Sequence, residues 1–559
     1  MKKFFAMIMC GVMTAVGMYG CGGEIIGPTG DDSKYVLNVS SYEGGVGQEW
    51  LKKAEARFEA EHANDEFPGE KVGIDVVVDY NKNDIAETID LSRYDIVIDE
   101  IRNIFDISAQ GKLLDISDVV KDDTDGASIE SRLTEIQKES LTAIKGKYYV
   151  VPHFEYFGGL AYDINTFEDY DLYFAKGGGF VSKTNRVIVK SVGPDGIENT
   201  YDDGLPRSYE ELFALIDRMI GKNIIPFIWS GNYKFYVNVF LNGLLGNYCG
   251  VDELEAMINL DSKGKDVRVV TGFDNNNKPI IENKVITAEN GYYTRQLAGK
   301  YYALSVLEKI MNTPKDNPKT YYNRSMLSGF TNIEAQRVFV NAYARQGMDG
   351  EKPIAFLVEG NYWYNEASDA KVFADLKKYG ITESERKIGW LPLPNAVTTE
   401  EWVAGKKNTL LCSGSAYMMI NNNIANDEQK VKVAKEFIKF LNTEKSLQEF
   451  TETTGITKGL KYELTDAQYD ALGTFGKSVW DIKKKSDVVY PLSKEKIFIE
   501  NYGALGVNTN ESFWESNIKG SYSTLPVDKM YNGVSAKDYF EGLKISPSEW
   551  NTKYGKYFN

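Results

Sequence analysis

The sequence predicts an α/β fold of two lobes, each built on a doubly wound sheet. Three short apolar runs have the length and composition of strands, at 35–41, 72–78 and 94–98. Between the first two runs, Trp50, Ala54 and Phe58 recur at the spacing of one helical face. This alternation is typical of a parallel sheet. A chain of 559 residues is long enough for two such units.

The loops after the first and third strands are the first candidates for a binding site, because ligands of parallel sheets bind beyond the carboxyl ends of the strands. These loops are 42–47 and 99–103. Gly44, Gly45 and Gly47 in the first loop match neither a dinucleotide-binding fingerprint nor a phosphate-binding loop. We expect these glycines to let the next helix begin close to the strand.

The composition excludes several classes of protein. A formal net charge of −16 argues against nucleic-acid binding, which needs basic patches for phosphate. Two histidines are too few for a His-rich metal centre, and neither lies near a serine-hydrolase motif. Cys249 and Cys412 are the only cysteines after the N-terminal region, and either a disulfide or two buried thiols would fit. Aromatic residues make up 13% of the chain, which suits a recognition surface as well as a large core.

The N-terminus reads as a targeting segment. Lys2 and Lys3 precede an apolar stretch, 4–16, that is too short to span a bilayer comfortably. The next residues, Met18 to Cys21, resemble a bacterial lipobox, in which the cysteine carries the lipid. We therefore expect a protein anchored through Cys21 at the extracytoplasmic face of the cell membrane, although an ordinary secretory signal remains an alternative.

An aromatic segment later in the chain is the most informative stretch. The apolar run 353–358 predicts a buried strand, and Gly360 allows a tight turn after it. Tyr362 and Trp363 follow, and Glu366 comes directly after them. Such rings can stack on the flat face of a ligand, although core aromatics at a strand-to-helix turn are an equally good interpretation.

This segment resembles the Gly-x-Trp-Trp-x-Asn-Glu-Ala variant of a motif in extracellular solute-binding proteins of ABC importers, the carbohydrate-binding family. Further segments resemble that family in the same order along the chain. They are the strand, loop and Gly-x-Leu-Leu-Asp element of 95–115, the Val-Pro crossover segment of 146–163, the capped helix that begins at 208–211, and a return strand at 409–420. The resemblance covers residues 1 to about 460.

The resemblance implies a periplasmic-binding-protein-like fold of class II, with a hinge between the lobes. It implies a monomeric binding protein that captures a sugar or oligosaccharide and delivers it to a membrane permease, with no catalytic step and no cofactor. The expected divisions are a signal peptide (1–20), a tether (21–34), lobe 1 (35–153 and 413–455), and lobe 2 with a C-terminal extension (154–412 and 456–559). A third crossing between the lobes is expected at 455–459.

The resemblance places most of the candidate ligand-binding residues on segments that contact ligand in the family, and their donors, acceptors and aromatic faces suit a polyhydroxylated ligand. The candidates are Tyr42, Glu43, Asp99, Glu100, Arg102, Asn103, Glu155, Tyr156, Trp229, Asn232, Tyr233, Tyr236, Tyr362, Trp363 and Glu366. About half of the rings that follow the 224–229 strand are expected to be core instead. A salt bridge between Glu100 and Arg102 is an alternative explanation for that loop. For His153, a core position is favoured over a place in the site.

An Asp- and Gly-rich loop at 193–206 suggests calcium. Asp195, Glu198, Asp202 and Asp203 could supply oxygen ligands, although the spacing does not match an EF-hand. A solvated turn is the favoured interpretation.

Two other functions remain open at this stage. Asp99, Glu100 and Glu366 leave room for an exported glycan-active hydrolase with paired carboxylates. A surface adhesion or structural lipoprotein that reuses the fold would close on no small ligand. The sequence does not name the solute, so a peptide or another organic solute also remains an alternative to a sugar.

Overall fold

A computed structural model describes most of the chain. The described residues are 30–81, 84–101, 103–124, 126–312, 322–327, 329–348, 350–493, 495–501, 512–515 and 525–558. The predicted signal peptide, Cys21, most of the tether and Arg102 lie outside these residues.

The strands fall into two main sheets and three small pairs. They are β1 Tyr35–Tyr42, β2 Glu66–Phe67, β3 Lys71–Val72, β4 Ile74–Asn81, β5 Ile96–Glu100, β6 Val150–Tyr156, β7 Gly158–Asp163, β8 Ile225–Ile228, β9 Asp266–Phe273, β10 Pro279–Val285, β11 Ile354–Gly360, β12 Ile388–Trp390, β13 Thr409–Leu411, β14 Gly414–Ile420 and β15 Asp487–Val489.

Helices cover both sheets and make up most of the C-terminal segment. The α-helices are Glu49–Glu61, Ile104–Ala109, Ser117–Lys121, Ile129–Arg132, Glu135–Leu141, Ile164–Asp169, Tyr209–Gly221, Phe235–Asn259, Ala298–Met311, Tyr322–Leu327, Asn332–Ala344, Trp363–Asp369, Glu428–Leu441, Glu444–Thr454, Asp466–Ala471, Thr474–Lys485, Lys496–Glu500, Pro526–Tyr531, Ala536–Leu543 and Pro547–Tyr554. The 3-10 helices are Ala86–Leu91, Gly291–Gln296, Val372–Tyr379, Glu383–Glu385, Asn422–Ile424, Ser512–Trp514 and Gly555–Tyr557. No helix in the part of the chain described is both long and apolar enough to cross a membrane.

Lobe 1 is built on a five-stranded sheet in the order β4-β1-β5-β14-β6. β1 runs parallel to β4 and β5, as the alternation of strand and helix predicts. β14 returns from the distant part of the chain and runs antiparallel to β5 and β6. Between β4 and β5 the chain forms the 3-10 helix Ala86–Leu91 rather than an α-helix.

Lobe 2 is built on a four-stranded sheet in the order β12-β7-β11-β8. β11 is parallel to β8 and antiparallel to β7, and its residues are buried throughout. A fully buried ion pair, Asp163 with Arg386, joins the end of β7 to the chain before β12, with Oδ2 and Nη2 2.9 Å apart. The two-lobed α/β fold predicted from the sequence is confirmed.

The hinge differs in two respects from the predicted one. The run 409–420 forms two strands, because β13 pairs with β15 outside lobe 1 before β14 enters the lobe 1 sheet. The segment 455–459 stays beside β6, where the Gly459 N–H donates to the His153 carbonyl at 3.1 Å. The lobe 2 boundary predicted at residue 456 is therefore too early, and the helix Thr474–Lys485 makes the third crossing, with side chains in the cores of both lobes.

The helix Lys496–Glu500 contacts the lobe 1 helix Ile104–Ala109, with Ile499 in the lobe 1 core, whereas the helices from residue 526 onward pack on lobe 2. The helices Pro526–Tyr531 and Ala536–Leu543 contact the helix Ala298–Met311. Trp514 is buried, and its indole N–H donates to Asn242 Oδ1 at 2.8 Å. Cys249 and Cys412 are both buried free thiols, so they form no disulfide with each other.

Candidate functional site

The loop after β1 in lobe 1 meets the turn after β11 in lobe 2, and the cleft between the lobes lies at this meeting point. Asn365, in the helix Trp363–Asp369 that follows this turn, donates from Nδ2 to the Gly45 carbonyl of the lobe 1 loop at 3.0 Å. Gly45 also lies against the Tyr362 ring, so closely that a Cβ at this position would be 2.6 Å from Tyr362 Cδ2. The lobes are therefore in direct contact, and the glycine is needed for that contact.

Gly47 makes a second close approach in the same loop. A Cβ at Gly47 would lie 2.1 Å from Asp369 Oδ2 of lobe 2. Both glycines have positive φ angles, +82° at Gly45 and +67° at Gly47, which side chains disfavour. The sequence assigned these glycines to the start of the next helix, whereas the structure shows that they also admit the opposite lobe.

Five aromatic side chains form a continuous row from the hinge to the rim of lobe 2. We call Tyr156, Tyr233, Phe235, Tyr236 and Tyr362 the aromatic row. The Tyr156 and Tyr362 rings meet edge to face across the lobes, with centroids 5.6 Å apart. Tyr362 and Tyr236 are hydrogen-bonded through their side chains, and Tyr236 stacks on Phe235 at 4.5 Å. Tyr233 and Phe235 end the row, with 40% and 36% of their surface exposed.

The hydroxyls of Tyr236 and Tyr362 stay protonated. Burial is the main cause that raises the pKa of Tyr236 and of Tyr362 well above the usual value for tyrosine, and nearby carboxylates add to it. Protonated phenols can both donate and accept hydrogen bonds. The row can therefore offer ring faces to the C–H surface of a ligand and hydroxyls to its polar groups.

One partly exposed carboxylate, that of Glu100, lies at the lobe 1 end of the cleft. Tyr42, at the end of β1, has a pKa raised first by burial and then by Glu100, Asp99 and Asp84. Glu100 ends β5 and is partly exposed, and a Cβ on Gly44 would lie 3.4 Å from its Oε1. Partly exposed carboxylates at strand ends are acceptors suited to hydroxyl donors.

On the lobe 2 side, Glu366 is held by two amide side chains. Asn332 Nδ2 donates to Glu366 Oε1 at 2.9 Å, and Gln336 Nε2 donates to Oε2 at 2.6 Å. The same Gln336 amide donates to Glu359 Oε1 at 3.1 Å. Burial and the neighbouring Glu366 raise the pKa of Glu359 to about 8, so Glu359 is mostly protonated near neutral pH. Burial also raises the pKa of Glu366.

Two of the predicted tryptophans do not reach the cleft. Trp229 is 1% exposed and Trp363 is 0% exposed, and both belong to the core of lobe 2. Trp363 packs edge to face on Phe339 and Phe475. The structure contradicts the prediction that these rings contact ligand, because both side chains are enclosed in that core.

Two of the predicted acids are also structural. Asp99 is 1% exposed, and its Oδ2 accepts the backbone N–H groups of Ile85 and Ala86 at 2.7 and 3.1 Å. Glu155 is 0% exposed and lies in the hinge, where Thr457 donates to Oε1 at 3.0 Å. Neither carboxylate faces the cleft.

Three other predicted residues have side chains that are partly or fully exposed. Asn103 is partly exposed but caps the helix Ile104–Ala109, with Oδ1 accepting the Asp106 N–H at 3.2 Å. Glu43, also partly exposed, accepts from Gln48 Nε2 at 3.1 Å. Asn232 is exposed at the lobe 2 end of the aromatic row.

His153 lies in the core of lobe 1, as favoured from the sequence. It is 1% exposed, its ring lies 4.7 Å from that of Trp50, and Nδ1 is 3.1 Å from Lys458 Nζ.

The structure does not assemble the four predicted calcium ligands. Asp202 is buried and accepts from the Asp195 N–H at 2.8 Å and from Thr200 at 2.6 Å. Asp195 pairs with Lys485 at 2.8 Å, and Glu198 pairs with Lys176. Asp203 accepts the backbone N–H of Asn199 at 2.8 Å. Within the described ranges, no group of three or more His, Cys, Asp or Glu side chains could hold a metal ion.

Several residues of the site were not predicted. Asn365 lies inside the aromatic segment, so its position after Tyr364 gave a local signal. Gln336 and Glu359 gave none, because a buried amide on a helix and an acid in an apolar strand are recognised only when the two elements are packed together.

Comparison with known proteins identifies the family. The sequence profile of bacterial extracellular solute-binding proteins matches residues 41–448. The chain belongs to this family. The matched range includes both sides of the cleft, so the resemblance seen in the sequence is confirmed. Residues after 448, including the third crossing, lie outside the match.

Solved structures show that this solute-binding protein shares its two-lobed fold with others. RafE in complex with raffinose is 13% identical with a TM-score of 0.52, covering 93% of this chain and 100% of that one. A chitin oligosaccharide binding protein is 14% identical with a TM-score of 0.53, covering 94% and 100%. An ABC substrate-binding protein from Listeria monocytogenes in complex with cycloalternan is 13% identical with a TM-score of 0.50, covering 93% and 99%. At these identities the likeness establishes the fold alone, and a search of curated protein sequences gives no match.

Proposed function

We propose that this solute-binding protein captures a sugar or oligosaccharide in the cleft between its lobes. The aromatic row carries the proposal. Its rings offer C–H-binding faces and its tyrosines offer hydroxyls, while Glu100 at the end of β5 is partly exposed and Asn232, next to Tyr233 in the chain, is exposed. A carbohydrate ring presents this combination of apolar faces and hydroxyl edges.

The solved structures with the same fold support a carbohydrate ligand. Raffinose, a chitin oligosaccharide and cycloalternan are the ligands of those proteins. The length of the row favours an oligosaccharide over a monosaccharide, since the row extends from Tyr156 at the hinge to Tyr233 at the rim. A longer ligand would contact more of these rings at once.

The proposed role is capture without chemistry. Hydrolysis of a glycoside requires two carboxyl groups that face each other across the scissile bond. Asp99 is buried against backbone N–H groups and Glu366 is held by Asn332 and Gln336, so of the three acids suggested for this role only Glu100 is left partly exposed. The match to a family of binding proteins also favours capture.

In the proposed cycle, the loaded protein delivers its ligand to the permease of an ABC importer. A lipid on Cys21 would hold the protein at the extracytoplasmic face of the membrane, where a chain of this kind meets its permease. The direct contact between Gly45 and the Tyr362 turn supports the closed arrangement of the lobes that such a cycle requires.

A thermal-stability screen tests this proposal. The protein is heated with neutral oligosaccharides of different linkages and, in parallel, with peptides. A ligand that binds the native state alone raises the unfolding midpoint by mass action. We expect a rise with one class of oligosaccharide and none with peptides.

Chromatography of the oligosaccharide after the incubation decides between binding and cleavage. Recovery of intact oligosaccharide supports capture, whereas shortened products would support a hydrolase. A midpoint that rises with peptides alone would contradict the carbohydrate assignment.

A further inference from the structure

The C-terminal segment reaches the hinge, although it lies beyond the part of the chain that matches the family. Its helix Thr474–Lys485 crosses between the lobes, and β15 follows it directly. We call Lys483, β15 and Tyr490 the hinge brace. These elements contact both of the other crossings.

The hinge brace holds a buried carboxylate on the first crossing. Glu155, near the end of β6, is 0% exposed. Tyr490 donates its hydroxyl to Glu155 Oε2 at 2.5 Å, and the Lys483 ammonium forms an ion pair with Oε1. Thr457 adds a third hydrogen bond at 3.0 Å. A buried carboxylate needs such partners, because its charge is otherwise taken out of water without compensation.

The hinge brace is also attached to the second crossing. β15 runs parallel to β13, and the Cys412 N–H donates to the Val489 carbonyl at 2.9 Å. Phe157 and Cys412 from the two crossings pack with Tyr490 and Leu492 in a small hydrophobic cluster that is separate from the cores of the lobes. The C-terminal segment thus supplies half of the buried residues of this cluster.

The held strand carries a ring of the proposed binding site. Tyr156 follows Glu155 directly, and its carbonyl accepts the Ser413 N–H of the second crossing at 2.9 Å. The Tyr156 ring then meets Tyr362 of lobe 2 across the cleft. A shift of Glu155 would therefore move the Tyr156 ring, which is the first ring of the aromatic row.

We propose that Lys483 and Tyr490 are positioning residues for ligand binding, and that they act through Glu155 on Tyr156 and on the angle between the lobes. The C-terminal segment is then part of the binding apparatus. The inference rests on the proposed function only for its ligand, because the geometry of the lobes can be measured without one.

The first test replaces Lys483. Lys483→Met leaves the Glu155 charge buried without its cation, so we expect the affinity for the oligosaccharide found in the thermal screen to fall about tenfold or more. Lys483→Arg keeps the charge, and we expect it to stay within about threefold of the wild type. Glu155→Gln combined with Lys483→Met removes both charges and should recover most of the affinity lost in Lys483→Met.

Lys485→Met is the matched control. Lys485 lies on the same helix and pairs with Asp195 away from the cleft, with a side chain that is 39% exposed. We expect the affinity of Lys485→Met to equal that of the wild type.

Tyr490→Phe removes a single hydroxyl and serves as the second variant if Lys483→Met fails to fold. We expect it to lose about fivefold in affinity.

Energy transfer between dyes on the two lobes gives the readout that needs no ligand. Exposed positions such as Glu87 in lobe 1 and Ser384 in lobe 2 can carry the dyes. We expect Lys483→Met and Tyr490→Phe to shift the distance distribution, and Lys485→Met to leave it unchanged. Variants that lower the unfolding midpoint but keep both the wild-type distances and the wild-type affinity would overturn the inference. If no oligosaccharide binds the wild type, the proposed function fails, and the distances alone decide the role of the hinge brace.

Discussion

Replacement of Gly45 by alanine isolates the contact between the lobes. Gly45 has a φ of +82°, so alanine there carries a backbone cost of roughly 1–2 kcal/mol in any state of the protein. The new Cβ would also lie 2.6 Å from Tyr362 Cδ2, about 1 Å closer than carbon atoms normally approach. Because Tyr362 belongs to the other lobe, this second cost applies only when the lobes are closed.

The size of the effect follows from the cost of overpacking. Inserting a methyl group into a well-packed contact typically costs about 1–3 kcal/mol. At about 1.4 kcal/mol for each factor of ten, a ligand that binds only the closed form should lose roughly 5- to 150-fold in affinity. We expect Gly45→Ala to fold with somewhat lower stability and to bind its oligosaccharide within that range of weakening.

Gly69→Ala provides the matched control. Gly69 has a φ of +81°, but nothing lies within 4 Å of a Cβ placed there. The two variants should therefore lose similar free energy of unfolding, as measured by chemical denaturation, while only Gly45→Ala loses affinity by isothermal titration calorimetry. Equal affinities for the two variants would refute the view that this contact belongs to the ligand-bound state.

Three further predictions concern pH, a buried ion pair and metal removal. Because the pKa of Glu359 is raised to about 8, the folded protein keeps a proton that the unfolded chain releases above the ordinary pKa of glutamate. The stability that this group contributes therefore falls as the pH rises from about 5 to about 8. Over that range the thermal midpoint of Glu359→Gln should fall less than the midpoint of the wild type. Arg386→Met should lower the free energy of unfolding by about 3–5 kcal/mol, because it leaves Asp163 as an unpaired buried charge; Lys378→Met, at an exposed pair, should change little in the same denaturation assay. EDTA should leave the thermal midpoint unchanged, since the acids of the 193–206 loop are occupied by hydrogen bonds and lysines, and a clear fall would instead indicate a calcium site there.

Much of the fold could be predicted because local patterns determine it. The spacing of Trp50, Ala54 and Phe58 marks one buried face of a helix, and all three side chains are buried. Apolar runs bounded by glycines and turns mark the strands in the same local way. The 3-10 helix Ala86–Leu91 between β4 and β5 was not predicted, because six residues are too few to show a helical period in the sequence.

The candidate site could be predicted only in part. Tyr362 and Trp363 are adjacent, yet one ring faces the cleft and the other fills the core, and this choice depends on how the helix Trp363–Asp369 packs. Glu155 and Lys483 are far apart in the sequence, and Lys483 lies in a run of three lysines typical of an exposed helix end. Only the folded chain shows that the first of these lysines reaches the hinge.

Calorimetric titration of Tyr362→Ala with an oligosaccharide that binds the wild type tests the central claim most directly. Tyr364→Ala is the control, because the Tyr364 ring stacks on Phe475 at 5.5 Å and its hydroxyl donates to Glu383 on the other side of the turn. We predict that Tyr362→Ala loses about tenfold or more in affinity, whereas Tyr364→Ala keeps the wild-type value. Wild-type affinity in Tyr362→Ala, with both variants folded at the temperature of the titration, would contradict the assignment of the binding site to the aromatic row between the lobes.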